Sequence, residues 1–143
     1  IMEAQSMFIE TDASFAKAED GTIRAGVAAV LVEDKPLLAV GKDIACNDNI
    51  EAELNAVLFG LEEIPVDGTK VVLYNDNQDV IGFIRRDNFC PERYRPLVNK
   101  IKLREKTKNL DVEYVWRDRS NQATADAIAT LAARKGQRIY CRT

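Results

Sequence analysis

Four carboxylates stand where a plain solvated surface would not put them. Asp12 closes a short apolar run, Glu53 lies inside an amphipathic stretch, Asp76 follows a second apolar run, and Asp126 sits among small residues. Carboxylates brought together repel one another unless a cation binds between them. The chain has no His, and its three Cys (Cys46, Cys90 and Cys141) form no C-x-x-C pair. Ser-His-Asp, Cys-His and His-ligated metal chemistry are therefore excluded. What remains is an oxygen-only donor set, which suits Mg²⁺ or Mn²⁺. Each residue also has a plainer reading: Asp12 in an Asx-turn, Asp76 as a helix cap, Glu53 exposed on a helix, Asp126 in a helix's first turn.

The elements that must carry these residues follow from hydrophobic period. Met7–Asp12 reads as a strand, followed by a turn-rich stretch with Asp20-Gly21 as its sharpest signal. The run Ala25–Val32 is continuously apolar, the pattern of a strand buried on both faces, and Leu37–Ile44 resumes after the Asp34-Lys35-Pro36 turn. Short connections make these three strands a meander. Leu54, Val57, Leu58, Leu61 and Ile64 then recur at helical spacing, predicting a helix over 49–64 capped by Asp48 or Asn49 and ended by Pro65. Glu53 falls on the rim of its core-facing stripe.

Lys70–Tyr74 is a fourth strand, and Asn75-Asp76-Asn77 opens a short helix. A longer helix spans Pro91–Thr107, Asp111–Trp116 is a fifth strand, and an Ala-rich helix runs over 121–134. The order βββαβααβα predicts an α/β fold: a mixed five-stranded sheet with helices on both faces, in one domain over residues 1–143. Residues 1–6 are expected to be a disordered or extraneous N-terminus, since an opening Ile points to a lost natural start or an excised domain.

The patterns Thr11-Asp12-Ala13-Ser14, Ala52-Glu53-Leu54-x-Ala56, Tyr74-Asn75-Asp76-Asn77-Gln78 and Ala125-Asp126-x-Ile128-Ala129 resemble those of type 1 ribonuclease H. They occur in the family's order and on matching elements, over almost the whole chain. The resemblance implies that Asp12, Glu53, Asp76 and Asp126 hold two metal ions, Mg²⁺ or Mn²⁺ in its place. It also implies hydrolysis of the RNA strand of an RNA/DNA hybrid, leaving a 3′-hydroxyl and a 5′-phosphate. Within it, Asp12 and Asp76 approach both metals, Glu53 the leaving-group side and Asp126 the water. Asn49 and Gln78, with Asn47 a weaker third, match positions that contact 2′-hydroxyls. Asp118 and Arg119 stand where many members carry a mobile histidine that assists turnover. Asn88-Phe89-Cys90 replaces the basic, tryptophan-rich protrusion of some bacterial members.

Lys100, Lys102, Lys106 and Lys108 make the long helix and its exit cationic, a candidate phosphate track; a solvated helix face is the alternative reading. Tyr114 and Trp116 read as core rather than as stacking platforms. The net charge of −3 divides unevenly: residues 1–71 hold 5 basic and 14 acidic side chains, a net −9, and residues 72–143 hold 15 and 9, a net +6. With 46% hydrophobic and 30% charged residues the chain can bury one core and is neither collagen-like nor disordered. No run is long enough for a membrane helix and no signal peptide is visible. Unpaired cysteines fit a reducing cytoplasm, and the expected state is a monomer or a domain of a larger protein. Two rival functions keep the fold: a catalytically silent binding or tethering domain, and a nuclease that cuts DNA.

Overall fold

A computed structural model describes residues 6–32, 36–118, 120 and 123–142. Strands β1 (Ser6–Lys17), β2 (Ile23–Val32) and β3 (Pro36–Ile44) form the expected antiparallel meander. Helix α1 (Asn49–Glu62) follows, then β4 (Lys70–Asn75) and α2 (Gln78–Arg85). A 3₁₀ turn at Glu92–Tyr94 leads into α3 (Arg95–Thr107), β5 (Asp111–Trp116), α4 (Ala123–Lys135) and β6 (Ile139–Arg142).

The mixed sheet has the order β5-β4-β1-β2-β3-β6, so six strands replace the five read from sequence. The added strand pairs antiparallel with β3, Leu38 facing Arg142 through Gly41 facing Ile139. It is four residues long and largely exposed, too short and too polar to show a buried period. No helix among the described residues is long and apolar enough to cross a membrane.

The buried faces explain the pattern of β2. Val27, Ala29 and Leu31 join the core under α1 with Ile9, Leu54, Leu61, Leu73 and Ile101, while Ala28 and Val30 pack against Ala125 and Ala129 of α4. A strand covered on both sides has no polar alternation to display. Helix α4 crosses β1, β2 and β3 closely because small residues line the contact. A β-carbon built on Gly26 would lie 2.0 Å from the Ala129 carbonyl oxygen, so only glycine fits there.

One boundary differs from expectation in a way that matters for the site. Strand β1 does not stop at Asp12; it runs on to Lys17, paired with β2 from Ala13 opposite Val27 to Lys17 opposite Ile23. Gly21, at φ +88°, closes the hairpin later. Parallel pairing of β1 with β4, by contrast, ends at Glu10 opposite Tyr74. Beyond that point β1 keeps only its antiparallel neighbour, and a crevice opens at the carboxyl end of β4.

Candidate metal centre

Three elements converge on that crevice. Asp12 extends from β1 just past the last β1–β4 pair, Asp76 is the first residue after β4, and Glu53 projects from α1. One carboxylate oxygen from each lies within 4.8 Å of the other two. Asp12 is 1% and Glu53 4% exposed, so the plain reading of Glu53 as a solvated helix residue is excluded. Asp76 does not cap α2 either: Asn77 does, its Oδ1 accepting from Val80 N at 3.1 Å. Asp48 caps α1, accepting from Glu51 N at 2.8 Å.

The electrostatics of this cluster call for a cation. Asp12 Oδ1 accepts from its neighbour Ala13 N at 2.9 Å, whereas Oδ2 is fully buried with no hydrogen-bond partner among the described residues. Burial first, then the charge of Asp76, pushes Asp12 from 3.8 up to about 7. Burial, then the charges of Asp12 and Asp76, pushes Glu53 from 4.5 up to about 9. Protons occupy such a cluster only for want of a better cation. An all-oxygen donor set with an orphaned buried oxygen fits Mg²⁺ or Mn²⁺. Asp126, in the first turn of α4, lies outside the tight group of three, yet its charge also raises Asp12.

Asn75 is a residue of the cluster that the sequence reading did not single out. Completely buried, it donates from Nδ2 to Glu53 Oε1 at 3.3 Å, Thr11 Oγ1 at 3.2 Å and Thr11 O at 3.4 Å. Its Oδ1 accepts from Asn77 N at 2.9 Å. In sequence, Asn before Asp reads as a turn; the available signal was its alternation with Val71 and Leu73, which puts it on the core face of β4.

Ala13, Asn49, Asn77, Trp116 and Asp118 complete, with Glu53 and Asp76, the wall of a cavity of about 320 Å³. Trp116 corrects the expectation of a core residue: it is 45% exposed, and its Nε1 donates to Asp76 O at 3.0 Å. It ends β5, beyond the helices that bury Tyr114. Arg117, the residue after β5, is itself firmly held. It pairs with Glu10 at 2.5 Å, lies 4.0 Å over the Tyr74 ring, and donates its backbone N–H to Asn75 O.

The remaining expected site residues lie elsewhere. Gln78 is exposed at the start of α2 and does not line the cavity. Asn47 borders a neighbouring depression with Cys46 and Glu51. None of Lys100, Lys102 and Lys106 reaches the cavity wall. Lys102 pairs with Glu105 at 3.5 Å and, with Lys106, Arg86, Asn99 and Asn109, lines a separate groove of about 630 Å³. Lys108 has a structural use: its Nζ donates to the carbonyls of Leu61, Glu62 and Ile64 at 2.9, 3.3 and 2.6 Å, closing the C-terminus of α1. Arg119 lies outside the described residues.

The sequence profile of a family described as reverse transcriptase-like matches residues 10–132. None of the curated proteins matches the sequence. Among solved structures, LC11-RNase H1 in complex with RNA/DNA hybrid superposes with a TM-score of 0.77 at 18% identity, over 89% of this chain and 96% of that one. RNase H1 of the halophilic archaeon Halobacterium salinarum gives 0.70 at 21%, over 89% and 96%. The protease–reverse transcriptase of prototype foamy virus gives 0.66 at 18%, over 89% of this chain and 20% of that one. At these identities the likeness is one of fold.

Proposed function

This chain belongs to the reverse transcriptase-like family and has the ribonuclease H fold, and from that premise we propose that it is a divalent-metal-dependent nuclease that hydrolyses the RNA strand of RNA/DNA hybrids, leaving a 3′-hydroxyl and a 5′-phosphate. One observation carries the reading: Asp12, Glu53 and Asp76 hold ligand oxygens within 4.8 Å of one another, and the buried Asp12 Oδ2 makes no hydrogen bond among the described residues. A solvated surface does not arrange three carboxylates this way, at a cost in charge repulsion, unless a cation compensates it.

Asp12, Glu53 and Asp76 would hold the metal, with Asp126 adding charge from α4. Bound there, a divalent metal would supply activation of a water and charge stabilisation for the departing oxygen of a phosphodiester. The chain's own part is to supply negative charge, rigidity and a shaped rim. Asn49 at the rim offers an amide donor and acceptor to a 2′-hydroxyl, and Gln78 at the start of α2 is proposed as a second contact. Trp116 stands half-exposed beside Asp76, and Asp118 lines the same wall, where it is proposed to assist turnover; the same role is proposed for Arg119 on the resemblance alone. Lys100, Lys102 and Lys106 contribute a sequence-independent attraction for phosphates. We place the protein in the cytoplasm, as a monomer or as one domain of a larger chain; that Cys46, Cys90 and Cys141 form no disulfide with one another is in keeping with the first half of that statement.

The test uses labelled RNA/DNA hybrid, duplex DNA and duplex RNA, each with Mg²⁺, Mn²⁺ or EDTA. Cleavage confined to the RNA of the hybrid and abolished by EDTA is expected. Cutting of duplex DNA, or activity surviving EDTA, refutes the reading; hybrid binding without cleavage identifies a silent tethering domain.

A further inference from the structure

We propose that Asn75 is a positioning residue for the metal centre. Its buried carboxamide fixes the Glu53 carboxylate in the ligand cluster, so that affinity for a divalent cation depends on an amide that is not itself a ligand. The proposal rests on reading the carboxylate cluster as a metal site.

The geometry assigns the amide's two ends. Glu53 Oε1, Thr11 Oγ1 and Thr11 O surround one end at 3.2–3.4 Å, and the Asn77 backbone N–H points at the other from 2.9 Å. A flipped amide would set its oxygen against acceptors and its NH₂ against a donor, so the network fixes the orientation. Thr11 Oγ1 donates its hydrogen to Tyr74 O at 2.8 Å and so meets Asn75 Nδ2 as an acceptor. One side chain thereby ties β1, the exit of β4, the start of α2 and a carboxylate of α1 into a single arrangement.

The residue type matters as much as its place. Glu53 reaches the cluster through three side-chain torsions, whereas Asp12 and Asp76 come from strand and strand end with fewer. It therefore has the most freedom to lose. A Lys or Arg in the place of Asn75 would fix Glu53 but would also neutralise the site and compete with a cation. A Ser or Ala would not reach it. A neutral donor of Asn length holds the carboxylate and leaves its charge available, the logic by which groups behind a metal ligand orient it.

The experiment measures Mn²⁺ and Mg²⁺ binding to the full chain by calorimetry and by fluorescence of Trp116, the chain's one tryptophan, which borders the cluster. Four proteins form a cycle: wild type, Asn75→Ala, Glu53→Gln, and the double variant. Asn75→Ala should weaken Mn²⁺ binding by about ten-fold or more. In the Glu53→Gln background the same change should alter affinity by less than about two-fold, because no carboxylate remains to be held. Should Asn75→Ala melt below the working temperature, Asn75→Ser, which keeps a hydroxyl for Thr11 or Asn77 but cannot reach Glu53, carries the same cycle. Equal losses in both backgrounds, or no loss in either, overturn the proposal. Its fate is separable from that of the proposed function. Coupled metal binding without hybrid cleavage sinks the nuclease and spares Asn75; hybrid cleavage with additive losses does the reverse. A wild-type chain that binds neither ion overturns both.

Discussion

Replacing Asp76 by Asn keeps shape and removes one charge, and its effect on folding should depend on pH in a way that only a carboxylate cluster produces. With the ligand oxygens of Asp12 and Asp76 within 4.8 Å, two full charges repel by about 3 kcal/mol at an effective dielectric of ~20. That repulsion exists only where Asp12 is ionised. Because its folded pKa is raised from 3.8 to about 7, the folded metal-free protein keeps a proton that the unfolded chain has already released. Stability is therefore fully present below about pH 4 and is lost as pH rises towards 7; the raised Glu53 extends the loss towards 9. At pH 5 Asp76→Asn has nothing to relieve, and its Tm without metal should match wild type. At pH 8 the variant should be more stable by up to about 3 kcal/mol, or roughly 6–12 °C for a domain of this size. Added Mg²⁺ should raise the wild-type Tm at pH 8 and shift the variant much less. Hybrid cleavage should fall by at least about a hundredfold. Melting curves at both pH values with EDTA or Mg²⁺, together with a cleavage assay, read all of this. A Tm gain equal at pH 5 and pH 8, or a variant that still cuts, refutes the reasoning; since Asn77 caps α2, no capping effect confuses the result.

Lys108→Met should destabilise the protein by about 3 kcal/mol in urea titrations, by stripping the donor from two α1 carbonyls and that of Ile64 just beyond, and should leave the salt dependence of hybrid binding unchanged. The triple replacement of Lys100, Lys102 and Lys106 by Gln should do the opposite: weaken hybrids of any sequence, flatten the slope of log affinity against log salt by up to about 2–3, and leave the urea midpoint nearly unmoved. Gly26→Ala should yield no soluble folded protein, because its methyl group meets the α4 backbone at 2.0 Å, as expression and circular dichroism would show. Gly68→Ala, at φ +80° but meeting only the Asn109 side-chain nitrogen at an ordinary 4.0 Å, should fold with a loss of only about 1 kcal/mol.

What the sequence displayed and what it hid divide along a physical line. The α1 stripe and the doubly buried β2 were legible because burial selects one residue class at a fixed period. The carboxylates were legible for the opposite reason: Asp12 and Glu53 are charges inside apolar patterns, and a buried charge is too costly to be accidental. Residues that conform to their local pattern gave nothing away. Asn75 looks like one more turn residue beside Asp76. Trp116 looks like the end of an apolar strand, and Lys108 like one more cation on a basic helix. Their roles lie in partners 22, 40 and 44–47 residues distant in the chain, contacts that no local period encodes. The extension of β1 was hidden similarly, since Ala13 is a small member of the core under α1 and Ser14 is small where α4 passes over, meeting Thr130 at 2.8 Å. Strand β6 was hidden because an edge strand in water carries no burial signal. A carboxylate cluster of this kind is thus announced by its acidic residues and built by its neighbours. Ligands are exceptions to the fold's chemistry, so they stand out; the groups that orient them succeed by being ordinary members of it.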